Sequence, residues 1–413
     1  MTAKTGHDPY HAWRSRDFRL FLAASVLASI GHEMQSVAVG WELYERTGSE
    51  LGLGFVGLVQ AVPVFLFALP AGHTADIVPR RLIVIVTMAI SAVASIGLAL
   101  VSRYQAPVPW VYACLALNGT TRSFALPARW ALLPHLVPVD AYTNAVTWRS
   151  SGWQLAAISG PALGGLTLAL WQRPEFVYLI DAFLTLASLS LLWPVREPVN
   201  ERPAESLSFS SLLAGARFVF QTELILATIT LDMFAVLLGG AVVLLPVFAK
   251  DILQVGPMGL GWLRAAPSLG ALSMALWLAH RPPMRRAGRS LLLAVAGFGL
   301  ATIVFGLSRD FWLSMAMLAI TGALDNISVV VRGTLVQVLT PDGLRGRVSS
   351  INSVFIGTSN ELGGFESGLA ARLFGPVIAV VGGGVGTILV VLAAAWKWPA
   401  MRRLKGLHDA GKA

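Results

Sequence analysis

The chain has 413 residues, of which 55% are hydrophobic and only 13% charged, with 40 glycines and 13 tryptophans. A soluble chain carries about twice that charged share, so this composition excludes an ordinary soluble protein and points to lipid as the solvent. A single cysteine, Cys114, excludes an intrachain disulfide and any multi-cysteine metal or cluster site, and the net charge of +9 is dispersed in short basic clusters between apolar runs, which excludes a nucleic-acid-binding face.

The first 17 residues are polar, so the first apolar run is expected to be a retained membrane anchor rather than a cleaved leader. A crossing helix needs about 20 mostly apolar residues. Such runs predict six helices at 18–44, 52–75, 82–102, 109–133, 142–171 and 175–195. Six more are predicted at 222–249, 258–279, 290–308, 311–337, 347–374 and 376–398. Twelve spans put both termini on one side. Basic residues crowd that side (Arg14, Arg16, Arg19, Arg80, Arg81, Arg281, Arg286, Arg345, Arg347, Arg402 and Arg403 among them), whereas the opposite loops offer mainly Arg46, Arg103, Arg173, Lys250 and Arg309. That asymmetry predicts cytoplasmic termini in a multi-pass protein of the cytoplasmic (inner) membrane.

Ionisable residues inside the bilayer are costly and mark function by default. In chain order they are Glu33 in span one, Arg122 in span four, Asp232 in span seven, Asp325 in span ten and Glu361 in span eleven. Asp181, Arg149 and Arg264 sit nearer predicted helix ends and read as interfacial. Gln35, Asn118, Asn326 and Asn360 add amides that need partners in lipid. Trp41, Trp148, Trp153, Phe234 and Trp262 are candidates to line an apolar cavity. Between the halves, 196–221 is the longest polar stretch, and Phe209, Leu212, Leu213, Ala216 and Phe220 at helical spacing predict a short amphipathic helix on the membrane surface.

A 203-residue shift aligns RWALLPHLVP (129–138) with RGTLVQVLTP (332–341), four matches in ten. It also pairs Gly119 with Gly322, Ser150 with Ser353, Gly160 with Gly363, Gly165 with Gly368, and Arg122 with the oppositely charged Asp325. Duplicated six-helix halves are a transporter arrangement, with binding at their interface near mid-membrane. The division expected is 1–195 for a first six-helix bundle, 196–221 for a linker, 222–400 for a second bundle and 401–413 for a basic tail.

The loop after span two reads GHTADIVPRR, placing Gly72, Asp76, Arg80 and Arg81 in a G-x-x-x-D-x-x-x-R-R pattern, and span five carries Gly160-Pro161-x-x-Gly164-Gly165. Together with WELYERTGS (41–49), the run from Pro127-Ala128-Arg129 to LLPHLVP, and LRGRV (344–348), these resemble the major facilitator superfamily, in its exporter branch with the enterobactin and macrolide exporters. The resemblance implies an all-α integral membrane fold: twelve transmembrane helices in two pseudo-symmetric six-helix bundles. It also implies that the span-five element belongs to a proton-coupled antiporter. Two departures stand out: the matching loop of the second half, HRPPMRRAGRS (280–290), has no acidic residue, and span four carries NGTTRSFALPAR in place of the usual arginine-glutamine-glycine pattern.

These residues lead to specific expectations. Gly72 should let two spans approach closely, and Asp76 with Arg129 should form a charge network closing the terminal side, flanked by Arg80 and Arg81. Proline removes a backbone donor at Pro161 while Gly160, Gly164 and Gly165 give a flat face for a partner helix. Glu33, Asp325 or Glu361 should bind the coupling proton, with Arg122 tuning it; the alternative is a structural Arg122–Asp325 ion pair. No Walker-type G-x-x-x-x-G-K-[ST] occurs, so this chain is not expected to use ATP; no cofactor or metal is expected, and the proton motive force is the expected energy source. The expected partners are a hydrophobic or amphipathic small molecule such as a drug or siderophore, protons and the lipid bilayer, handled by a monomer. Competing readings are a nutrient symporter, a membrane-embedded lipid-modifying enzyme, against which G-x-S-x-G and H-E-x-x-H are both missing, and a sensor, for which linker and tail are too short.

Overall fold

The structure, a computed structural model, describes residues 8–196, 216–281, 284 and 286–404. Among them are twelve long helices: α1 (Arg16–Thr47), α2 (Glu50–Ile77), α3 (Arg80–Arg103), α4 (Val108–Leu132), α5 (Tyr142–Trp171), α6 (Pro174–Leu192), α7 (Glu223–Gly239), α8 (Gly256–Ala279), α9 (Ala287–Leu307), α10 (Phe311–Leu339), α11 (Arg345–Phe374) and α12 (Pro376–Lys397), with a short α13 (Pro399–Arg403) at the end. Among the described residues, eight stretches are long and apolar enough to cross a membrane by composition. The four other helices are α1, α4, α8 and α11, which carry charged residues along their length; α8, with Arg264, is further diluted by glycine, proline and serine.

Helix limits follow local chemistry. Proline, whose missing N–H is no loss in a first turn, opens α6 and α12. Asp310 caps α10, its carboxylate accepting from the Leu313 N–H at 2.7 Å. Gly375, at φ +89°, makes the turn between α11 and α12 in a region closed to other residues. The predicted span 222–249 is not one helix. It stops at the Gly239-Gly240 pair and continues as a 3₁₀ turn (Ala241–Leu244) and, past Pro246, a π-helical turn (Phe248–Ile252). Two residues of poor helix propensity followed by a proline break the hydrogen-bond ladder. Of the expected linker helix, 216–221 is helical; Phe209, Leu212 and Leu213 lie outside the described residues.

Contacts divide the chain into two units, Met1–Ala38 with Val62–Ser206, and Val39–Ala61 with Leu207–Ala413. In the first, α3 packs on α4 and α6; in the second, α9 packs on α10 and α12, the same pairing six helices later. Each has an apolar core, Phe18, Phe21, Met88, Leu132 and Leu192 in the first and Leu231, Leu291, Leu335 and Val391 in the second. The repeat is legible in contacts too. A Cβ on Gly160 would sit 2.5 Å from the Glu33 Cβ, and one on Gly363 would sit 3.0 Å from the Val236 carbonyl oxygen. Val236 is the residue that the 203-residue shift pairs with Glu33.

Division by contact differs from division by chain order. The end of α1 and the start of α2, which the sequence assigns to the first bundle, pack with the second unit. Glycines make this possible: a Cβ on Gly54 would lie 3.3 Å from the Gly368 Cα, one on Gly57 3.0 Å from Glu361 Oε2, and one on Gly40 3.1 Å from Pro246. Tyr44 donates a short hydrogen bond to Asp251 on the π-helical turn, and Lys250 lies 6.0 Å from the Trp41 ring centroid and 5.8 Å from that of Tyr44.

Candidate functional site

In the second unit two buried charges and a half-buried acid come together around α10. Asp325, Ser328 and Arg332 follow at i, i+3 and i+7 and so share a stripe of the helix. Arg332 pairs with Asp232 of α7, and both are only 5% exposed. The Ser328 hydroxyl donates to the Asp232 carboxylate at 3.3 Å. One turn further along, Asp325 joins Asp232 and Ser328 in lining a small cleft closed by Val295, Phe298 and Leu324. Among the described residues Asp325 forms no ion pair. The adjacent Asn326 has its amide oxygen buried without a hydrogen-bond partner.

The first unit holds a buried polar network. Gln35 donates its amide to Asp181 at 2.8 Å and to Ser95 at 3.1 Å, Ser95 donates to the same Asp181 oxygen at 2.6 Å, and Asn118 donates to the Gln35 carbonyl at 3.2 Å. Helices α1, α3, α4 and α6 are thereby joined through groups that water hardly reaches: Asp181 is 4% and Gln35 3% exposed. The interfacial placement of Asp181 is thus corrected. Gln35 and Ser95 both donate to one of its oxygens inside the unit, and Gly31 of α1 leaves it the room.

Glu33 is half-buried on α1 against Gly160 of α5. Gly164 extends that seam, because its Cβ would lie 3.0 Å from both the Cα and the carbonyl oxygen of Met34; Pro161 and Gly165 are buried beside it. Backbone cannot yield as a side-chain tip can. Gly164→Leu is expected to force α1 and α5 apart and lower the thermal midpoint of the detergent-purified protein, whereas Ile30→Leu, nearby on α1, leaves it near the wild-type value; an unchanged midpoint for the Gly164 variant would contradict the close seam.

The terminal-side loop differs from expectation. A Cβ at Gly72 would meet nothing within 4 Å among the described residues, whereas close approaches of α2 lie at its other end, at Gly54 and Gly57. The Asp76 side chain, and with it the Asp76–Arg129 pairing, lies outside the described residues. Arg80 contacts the His135 ring after α4 and Arg81 donates to the Trp193 carbonyl after α6, so the pair ties together helix ends of the first unit.

The sequence anticipates Gln35 and Asn118 as amides needing partners, and the structure joins them. It also brings Asp232 to Asp325, but the ion partner of Asp232 is Arg332, and Arg122 belongs to a different unit from Asp325. Arg122 is exposed on α4, and Glu361 faces Gly57 of α2. Trp148 is not a cavity residue: its indole N–H donates to Pro9 at 3.0 Å and its ring packs with Tyr10 and Trp13. Ser95 and Ser328 are members of these networks that the sequence does not single out, whereas Asp181 stands out there only as an acid near a helix end and Arg332 only as the arginine seven residues after Asp325. The signal for Arg332 was its i+7 spacing from Asp325.

Comparisons with known proteins agree with this architecture. The family model described as transmembrane secretion effector matches residues 7–405. The enterobactin exporter EntS of Shigella dysenteriae serotype 1 is 26% identical over 374 residues, covering 90% of this chain and 89% of the relative. EntS of Escherichia coli O157:H7 is likewise 26% identical, over 383 residues and the same shares. Among solved structures, a bacterial homologue of the human lysosomal transporter Spinster, inward-facing and occupied, superposes with a TM-score of 0.73 at 15% identity, covering 96% of this chain and 98% of that one. A D-xylose–proton symporter gives 0.70 at 13% identity, with 92% and 97% covered. These two similarities establish the fold alone.

Proposed function

The chain belongs to the transmembrane secretion effector family, a multi-pass membrane transporter of the major facilitator superfamily, and on that premise we propose that it exports a hydrophobic or amphipathic small molecule from the cytoplasm in exchange for protons. The observation that carries the reading is the charge count in the second unit. Arg332 neutralises Asp232, so an ionised Asp325 leaves one net negative charge among apolar helices, and a proton on Asp325 returns the cluster to zero. A site whose charge is balanced only with the proton bound couples its occupancy to movement through the membrane. The buried, unbonded oxygen of Asn326 supplies an acceptor beside it, suited to a polar group of the cargo.

Export rather than uptake is supported by the similarity to the enterobactin exporters and by the Gly160-Pro161-x-x-Gly164-Gly165 element on α5. The basic bias of the terminal side supports termini in the cytoplasm, with Glu33, Arg122 and Glu361 as further pathway residues and Arg80, Arg81, Arg129 and Asp76 at the cytoplasmic end. The energy is adequate: each pH unit supplies about 1.4 kcal/mol and each 100 mV about 2.3 kcal/mol per proton.

The test uses inverted vesicles containing the full chain, loaded by imposing an inside-acid pH gradient, with a panel of amphipathic dyes and hydroxamate or catechol siderophores. Accumulation that collapses with the gradient, together with alkalinisation of the lumen on substrate addition, is expected. Accumulation only under the opposite gradient, or none dependent on any gradient, contradicts proton-coupled export.

A further inference from the structure

A second cluster, which shares Arg129 with the residues above, lies where α4 ends and α5 begins. Arg149 is seven residues into α5, about 10 Å along it, and its guanidinium carbon sits 3.3 Å from the centroid of the Trp130 ring on α4. Arg129, the residue before Trp130, places a second positive charge beside it. Neither arginine forms an ion pair among the described residues, and Arg149 Nη1 is buried with no hydrogen-bond partner. Trp130 itself is 47% exposed, so the cluster reaches the surface of the unit.

Three physical features point the same way. Two like charges held together, partly out of water, repel each other until an anion joins them. A buried charged donor left unbonded is costly, and such a group in a native structure signals a missing partner. Stacking on indole uses the face of the guanidinium and leaves its in-plane N–H edge, the edge that matches a carboxylate or phosphate in a two-point contact. The indole also sets the plane of that edge, so little rotamer freedom is lost on binding.

We propose that Arg149 and Arg129, framed by Trp130, bind an oxyanion, a carboxylate or phosphate group, at this end of the first unit. Two sources share that chemistry: the headgroup of an anionic lipid and the acidic group of a soluble ligand. The site is separate from Asp325 and does not depend on which direction the protein transports.

Purified full-length protein tests both sources. In one arm, native mass spectrometry measures retention of phosphatidylglycerol against phosphatidylcholine. In the other, thermal unfolding is followed with added inorganic phosphate or benzoate. Arg149→Gln and Arg129→Gln are expected to weaken binding about tenfold in one arm, as loss of a charge-assisted contact does. A drop confined to phosphatidylglycerol identifies the lipid as the source, and a drop confined to phosphate or benzoate identifies a soluble ligand. If Arg149→Gln does not purify as a monodisperse species, Arg149→Lys takes its place, keeping the charge but losing the flat fork. Equal binding by wild type and variants in both arms overturns the proposal.

Discussion

Asp325→Asn is expected to lower gradient-driven export by about 100-fold while leaving exchange of labelled for unlabelled substrate at equal pH close to wild type. Asparagine copies the size and hydrogen bonding of the protonated acid but cannot release a proton. It holds the cluster of Asp232, Arg332 and residue 325 permanently at zero net charge, the state in which Asp325 carries its proton. Placing a lone charge at the centre of a bilayer helix costs about 2.5–3.5 kcal/mol on insertion scales, which is about two decades in an equilibrium. Export against a gradient needs the empty carrier to lose its proton on one side, whereas exchange needs only the return of a loaded carrier. Full pH-driven export by the Asn variant would remove Asp325 from the coupling, and loss of both activities with normal folding would recast it as a substrate ligand.

Arg332→Met is expected to give the largest change in stability, a loss of about 3–5 kcal/mol, because it strands a buried carboxylate without its counter-charge. Asp232 is 5% exposed, with Ser328 as its remaining donor, so water cannot replace the guanidinium. The stranded acid can be relieved by a proton, which makes the defect smaller in acid than at neutral pH. Replacing both partners, Asp232→Leu with Arg332→Met, removes the unpaired charge and is expected to recover most of the thermal midpoint, since apolar side chains of similar volume often substitute for a buried pair at no net cost. The double variant separates stability from function: restored folding with no coupled export places the pair in the proton pathway, and restored folding with normal export assigns it to architecture. Thermal unfolding in detergent and vesicle transport on the same preparations decide between them.

The two buried centres divide the roles that one residue list cannot separate. The network around Asp181 joins four helices through hydrogen bonds among Gln35, Ser95, Asn118 and Asp181, which makes it a rigid element of the first unit. The cluster around Asp325 is incompletely satisfied, with an acid lacking an ion partner among the described residues and an unbonded amide oxygen at Asn326. Groups left partly unsatisfied are costly at rest and are kept where a proton or ligand completes them.

Much of this was legible along the chain. Runs of about 20 apolar residues fix helices regardless of what surrounds them, because an unbonded backbone is too costly in lipid. The twelve helices therefore fall within a few residues of expectation, apart from the Gly239-Gly240 break after α7. Charges inside those runs stand out for the same reason, and Asp232, Asp325, Glu33 and Glu361 are visible from hydropathy alone. The 203-residue repeat likewise survives into contacts at Gly160 and Gly363. What the tertiary structure alone decided is who meets whom. Asp232 and Arg332 are 100 positions apart, and Gln35 and Asp181 are 146. Whether they touch depends on the rotation and depth at which separate helices pack, and periodicity within one helix carries no record of either. The same holds for glycine: its lack of a side chain is written in the sequence at Gly72 and Gly54 alike, but only the neighbouring backbone at Gly54 turns that lack into a close crossing.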